Sequence, residues 1–400
     1  MTVRITKPEF NLREKISELD KPSGLKGSEL MRSDTAQDAR DLIGAGRKNM
    51  IINGDMTVAQ RGTSFSPTGT EQPYTIDRFQ HVATNGVSWD ATVTQDSSAP
   101  DGFTKSYKVT PDATNTSSGG GNALVRQSIE GKNAQNLAYG TSSAKHVTIS
   151  FYAKSGSQNN GHQYTFQFRH FATDATKRSI NAPFIITSSF QRFTFTFDGD
   201  TAVDVINTIA RGLELNWILA SGPDDIDPQH TSWTTDNLFT AVKGQSNFND
   251  NTSNEFYLTG VQLEVGQNAT EFEHRSFGEE LALCQRYCVA YGAGAGEARH
   301  LGCASAYNAT NINLSLHLPV PMRTKPTPIK VTGDGNNVMQ VYVGSTGHFS
   351  DPTISNASDH GTDHNSMRLY VQSAASGLTA GQALWCHTVP NAKLILNAEI

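Results

Sequence analysis

Apolar and polar residues alternate with a period of two through the middle of this chain. Val147, Ile149 and Phe151 alternate with Thr148 and Ser150; Tyr164, Phe166 and Phe168 with Thr165 and Gln167; Phe193, Phe195 and Phe197 with Thr194 and Thr196. That rhythm sends successive side chains to opposite faces of a pleated backbone, so each run predicts a half-buried strand. Leu213, Leu215, Trp217 and Leu219 follow it less cleanly, with Ile218 at a polar position, and residues 257–265 close the series. Polar turn clusters at 115–122 and 156–161 separate the runs, and no helix of three turns is visible from 49 to 274. Strands joined by turns without intervening helices predict a mainly β fold, an antiparallel sandwich for which a jelly roll is the preferred topology.

The flanks read differently. In residues 1–46, Phe10, Leu12, Ile16 and Leu19 lie at helical spacing between Pro8 and Pro22, and a second helix can start at Ser33 or Asp34, run through Ala36, Ala39 and Leu42 and stop at Gly44. Neither is long enough to stand alone, so the segment is expected to anchor on a partner surface. At 276–291, Ser276 with Glu279 forms a capping box, and Leu281, Cys284, Cys288 and Tyr291 share one helical stripe ending at Gly292, which predicts a linking helix. Residues 292–400 return to short alternating pieces at 313–320, 367–371 and 393–396 and are expected to form a second β domain.

Composition sharpens this picture. A chain of 400 residues exceeds one ordinary core, which points to two or three domains. Only 36% of residues are hydrophobic and 18% charged, so Ser, Thr, Asn, Gln and Gly fill the remainder, a β-rich, outward-facing composition. The net charge of -6 and the lack of a Lys/Arg-rich run leave no footprint for a nucleic-acid backbone. No apolar run approaches a bilayer's thickness and the first residues lack a signal-peptide core, so a soluble, unexported chain is expected. Its four cysteines show no framework spacing and are expected to be free, buried thiols.

Residues 47–62 read RKNMIINGDMTVAQRG and residues 74–79 read YTIDRF; at the far end stand LTGVQLEVG at 258–266, FEHR at 272–275 and EELALCQRY at 279–287. These ordered stretches resemble the two ends of the carbohydrate-binding-module-like jelly roll of phage tail-fibre and other virion proteins. LMRSDTAQDAR at 30–40, leading into GAG at 44–46, resembles the adaptor before that module in fibres of short-tailed, often marine, phages. The resemblance covers about residues 28–291. It implies a virion location, a homotrimer, contact with other tail or capsid proteins through the N-terminal segment, and a role at the host surface. It does not extend to residues 292–400. Independently of it, Asn53, Gly54 and Asp55 are turn chemistry, since glycine tolerates positive φ and Asn and Asp bond their own backbone. Arg61 and Arg78 are expected to pair with Asp55, Asp77 or Glu264, locking the ends of the sandwich.

Sugar recognition needs an aromatic face and planar polar groups. Trp89, Trp217, Trp233, Tyr107, Tyr152 and Tyr257 are available; most sit on faces a sandwich must bury, and Trp233, in a polar loop, is the best exposed candidate, followed by Tyr107 and Trp89. Asp359, His360, Asp363 and His364 lie within six positions of one another, weak candidates for a metal against the reading of a solvated loop. Cys284 and Cys288, with His274 upstream, lack zinc-knuckle spacing and read as helix core. No nucleophile elbow, phosphate loop or zinc-protease pair is present, and Gly119, Gly120 and Gly121 lack the lysine of a phosphate loop. The expectation is therefore a jelly roll at 47–275 on an anchor at 1–46, linked through 276–291 to a β tip at 292–400. It would act without cofactor or catalysis as a trimeric fibre holding host-surface glycan multivalently. A capsid decoration or head fibre, and a capsule depolymerase, are the rival readings.

Overall fold

The structure, a computed structural model, describes residues 48–84, 87–116, 119–173, 176–235, 240–292, 297–331, 338–343, 346–350, 353–356, 366–372 and 378–400. The anchor expected at 1–46 and the cluster of Asp359, His360, Asp363 and His364 lie outside the described residues.

Along the first module run β1 (Ser64–Phe65), β2 (Phe79–Ala83), β3 (Ala91–Asp96), β4 (Ser106–Pro111), β5 (Asn122–Glu130), β6 (Val147–Ser155) and β7 (Gln163–Phe171). There follow β8 (Lys177–Ile185), β9 (Gln191–Phe197), β10 (Arg211–Ser221), β11 (Ile226–Asp227), β12 (Thr234–Thr235), β13 (Ala241–Val242) and β14 (Phe256–Val265). One sheet is ordered β1-β3-β4-β14-β6-β9 and the other β12-β8-β7-β10-β5-β2, and both are antiparallel throughout. This is the expected mainly β jelly-roll sandwich.

The alternating aromatics meet between the two sheets. Trp217 on β10 is fully buried, 5.4 Å from Phe166 of the neighbouring strand and edge-on to Phe151 of the opposite sheet at 5.6 Å. A buried ring of this size removes about 150–250 Å² from water, a gross gain of roughly 4–6 kcal/mol at about 25 cal/mol per Å². The irregular rhythm of 213–219 now has a cause. β10 is central and buried on both faces, so Glu214, Asn216 and Ile218 on its outer side are as buried as Leu213, Leu215 and Trp217 on its inner side.

The linking helix is shorter than expected. Helix α1 spans Phe277–Gln285, and Ser276 caps it, its hydroxyl accepting from the Glu279 amide while the Glu279 carboxylate accepts from the Ser276 amide. Cys288 and Tyr291 do not extend that helix. Residues Cys288–Gly292 form β15, because Cys288 and Val289 are buried in a strand that pairs residue by residue with the chain's last strand. Local spacing allowed a helix; sheet hydrogen bonds and the burial of Val289 decided otherwise.

Beyond it come β16 (His300–Ala306), β17 (Asn311–His317), β18 (Thr327–Val331), β19 (Met339–Val343), β20 (Thr346–Ser350), β21 (Thr353–Asn356), β22 (Ser366–Gln372), β23 (Ala383–Thr388) and β24 (Lys393–Asn397). They form a sheet of order β15-β24-β18 and another of order β20-β19-β23-β16-β17-β22-β21. Ile312, Leu314, Leu316, Val341, Leu384, Leu394 and Leu396 build a core separate from that of the jelly roll. Replacing Trp217 by Ala is expected to destabilise the first module by about 3–5 kcal/mol, read as a lowered urea midpoint.

Candidate functional site

The motif residues form an inter-module clamp. Asn53 adopts the left-handed backbone (φ 60°), its side chain bonding the carbonyls of Val58 and Asp77 and the amide of Val58. Gly54 serves close approach instead of positive φ: a Cβ there would lie 2.1 Å from the Val261 carbonyl oxygen. Asp55 accepts from Thr57 within its own loop. Glu264 lies 3.9 Å from Lys48 and accepts from Gln262 and Thr270. Among the described residues neither carboxylate pairs with an arginine; of the three expected partners Asp77 alone stands beside one, 3.9 Å from Arg61.

The carboxylate that gathers both arginines is Glu399, two residues past β24. Arg61 lies 3.1 Å from Glu399 and 3.9 Å from Asp77, Arg78 pairs with Glu399 directly, and all four side chains are nearly inaccessible. Arg78 also donates to the Ser128 carbonyl and sits over the Tyr287 ring, 3.5 Å from its centroid. Burial opposes the Arg78 charge, but Glu399 and Tyr287 outweigh it and hold its pKa above the ordinary value. Around this centre, Tyr74 donates to the Ile400 carbonyl, Gln60 to that of Cys288, and Arg323 to those of Ile209, Ala398 and Glu399. Arg286 binds Glu130 bidentately at 2.7 and 2.8 Å, and the Tyr287 hydroxyl adds a bond of 2.6 Å. Burial works against the Glu130 carboxylate, yet those donors prevail and hold its pKa below the usual value.

The thiols and aromatics singled out in the sequence are structural. Cys284, Cys288 and Cys386 are buried as expected, which pushes their thiols up, whereas Cys303 is exposed, contrary to expectation, because it lies on the outward face of β16; the His274 ring packs on Phe103 and Phe272. Trp89, 1% exposed, stacks on His81 at 3.8 Å, and Tyr107 is wholly buried beside Phe79, so neither offers a face to a sugar. Trp233 also differs from expectation. It is half-buried, donates to the Asp198 carbonyl and packs against Tyr139, Phe168 and His170, closing one end of the core.

Two polar surfaces remain. On the outer face of the jelly roll's second sheet, Gln80, Arg126, Asn216, Gln167 and Asn181 stand in register across adjacent strands, next to Glu214 with Arg126, Arg169 and Arg211 at 3.3, 3.1 and 2.6 Å. The middle of this layer is fully buried. The outward face of the larger C-terminal sheet is open. On β23, Leu384, Cys386 and Thr388 point inward and Ala383, Trp385 and His387 outward, with Trp385 58% exposed. Tyr342 on β19 and Cys303 on β16 stand opposite Trp385 on either side, and His300 lies opposite His387. His300 is 4.0 Å from His387 and 5.7 Å from Trp385, and Tyr342 is 5.3 Å from His387 (ring centroids). An open indole flanked by imidazoles, a phenol and the Gln340 amide combines an apolar stacking surface with hydroxyl-binding groups. The sequence carries no clear signal for it, since residues 383–386 are apolar without a break and only the sheet separates the inward side chains from the outward ones.

No protein-family model and no curated protein matches the chain. Among solved structures it is similar to the family 11 carbohydrate-binding module of a cellulosomal cellulase of Clostridium thermocellum (12% identity, TM-score 0.27, 53% of this chain and 98% of that one). It is also similar to the CBM22-1 xylan-binding domain of Paenibacillus barcinonensis (10%, TM-score 0.27, 56% and 100%). A third is the enzymatically active domain of Bacteriophage CBA120 tailspike protein 4 (12%, TM-score 0.27, 54% and 21%). Overall superposition is low in all three, and the activities in their names are properties of those proteins.

Glu399→Gln is expected to cost about 3–5 kcal/mol, since it leaves buried arginine charge uncompensated; urea unfolding checks it. Glu130, whose folded pKa is depressed, contributes stability above its unfolded value of about 4.3 that fades as pH falls through the folded one. The difference in melting temperature between wild type and Glu130→Gln should therefore be full at pH 6 and shrink toward pH 3.

Proposed function

We propose that this chain is a non-catalytic attachment protein of a bacteriophage virion, of tail-fibre type, which holds a host-surface glycan. The observation that carries the glycan reading is the open face around Trp385, with its ring exposed and neighbouring polar side chains in reach of hydroxyl groups. The virion reading is supported by the sequence stretches at 47–62, 258–266 and 279–287. Many of their residues build the jelly roll's ends and the clamp that ties it to the second module. A clamped pair of modules presents the Trp385 face on a stiff base, and a homotrimer would present three. Weak individual sites then act together through effective concentration.

The test is a glycan array probed with the full chain and with Trp385→Ala. The wild type should bind a restricted set of glycans, and the variant should bind them about 30-fold more weakly, the loss of a central tryptophan contact of about 2 kcal/mol. Its melting temperature should stay unchanged, because the ring is mostly in solvent. A blank array for the wild type would sink the reading.

A further inference from the structure

We infer that the Trp385 face takes an anionic sugar polymer, one bearing carboxylate or sulfate groups, and holds it more tightly as the medium is acidified. The inference rests on the reading of that face as a glycan site and names the class of glycan. Its basis is the charge pattern on the sheet. Among the described residues of β16, β17, β19 and β23, every acidic side chain is missing from the outward positions, and the titratable groups present are histidines, a phenol and a thiol. β16 contributes His300 and Cys303, β23 His387, β19 Tyr342 and β17 His317 at its end. The charged residues just before β16, Glu297 and Arg299, pair with each other at 3.0 Å. In a chain of net charge -6, an acid-free patch bearing imidazoles sets no carboxylate of these strands against a polyanion.

The two central histidines make the patch responsive. His300 and His387 face each other on adjacent antiparallel strands with ring centroids 4.0 Å apart. Two cations at such a distance repel by about 1 kcal/mol even in water, so the pair accepts a first proton more readily than a second. Burial first, and His300 second, lower the pKa of His387. His387 is therefore held neutral near neutrality and gains its charge only as pH falls below the ordinary histidine value of about 6.5. A carboxylate or sulfate lying beside the pair neutralises that charge and relieves the repulsion, so binding takes up protons. Affinity for such a ligand must rise with acidity, by at most about tenfold per pH unit for each linked proton. A neutral glycan stacked on Trp385 gains nothing from this.

The full chain is titrated with polygalacturonate, dextran sulfate and neutral dextran at pH 7.5 and 5.0, alongside the double variant His300→Gln/His387→Gln. The expected result is binding of the two polyanions that tightens about tenfold or more at pH 5.0, with the increase abolished in the double variant. His300 is exposed and His387 half-buried, and the comparison of wild type across pH needs no variant. Polyanion binding with no pH response, a response that persists in the double variant, or preference for the neutral polymer overturns the inference while leaving the attachment reading in place. Failure to bind these polymers together with a blank glycan array removes both.

Discussion

The Glu399 carboxylate, shared by Arg61 and Arg78 in a space closed to water, is the interaction on which the joining of the two modules depends. Two guanidiniums buried at the rim of the jelly roll would be ruinous without an anion, and among the described residues their own module offers only Asp77, 3.9 Å from Arg61. The second module supplies the missing charge from beyond its final strand. Burial makes the exchange strong in both directions, because neither the arginines nor the glutamate can recover hydration without separating the modules. Glu130 repeats the scheme in reverse, presented by the jelly roll and satisfied by Arg286 and Tyr287 just after the linking helix.

This coupling gives the open face of the second module its mechanical setting. On the attachment reading proposed above, such a face transmits force and holds its geometry only if the sheet beneath it is fixed. Here β15 and β24, the strands nearest the clamp, share one core with the sheet that carries Trp385. The jelly roll, by contrast, spends nearly all its aromatics internally. Phe151, Phe166 and Trp217 fill the space between its sheets, Trp89 lies flat on His81, and Trp233 seals one end. An accessible indole is thus found on the smaller module, away from the motif stretches at 47–62 and 258–287.

How much of this was readable beforehand depended on the range of the forces concerned. The strands at 147–151, 164–168 and 193–197 were plain, since the pleat converts a two-residue rhythm directly into an inside and an outside. The capping box at Ser276 and Glu279 was plain for the same local reason. The helix stripe beyond it misled: Cys288 and Tyr291 sit at helical spacing, but their hydrogen bonds go to β24, more than a hundred residues away. Trp233 misled in the opposite sense, since its polar neighbours describe the loop and say nothing of the pocket formed by Tyr139, Phe168 and His170.

The sequence by itself determined that this is a β protein with a jelly-roll rhythm, a capped helix and a second β region, because alternation, turn residues and caps act between near neighbours. The tertiary structure alone decided which groups meet. Arg78 and Glu399 are 321 positions apart, and Trp385 is open to solvent only because its strand shows that face outward. Electrostatic pairing and exposure depend on distance in space, which the order of residues along a chain does not encode until the sheets have closed.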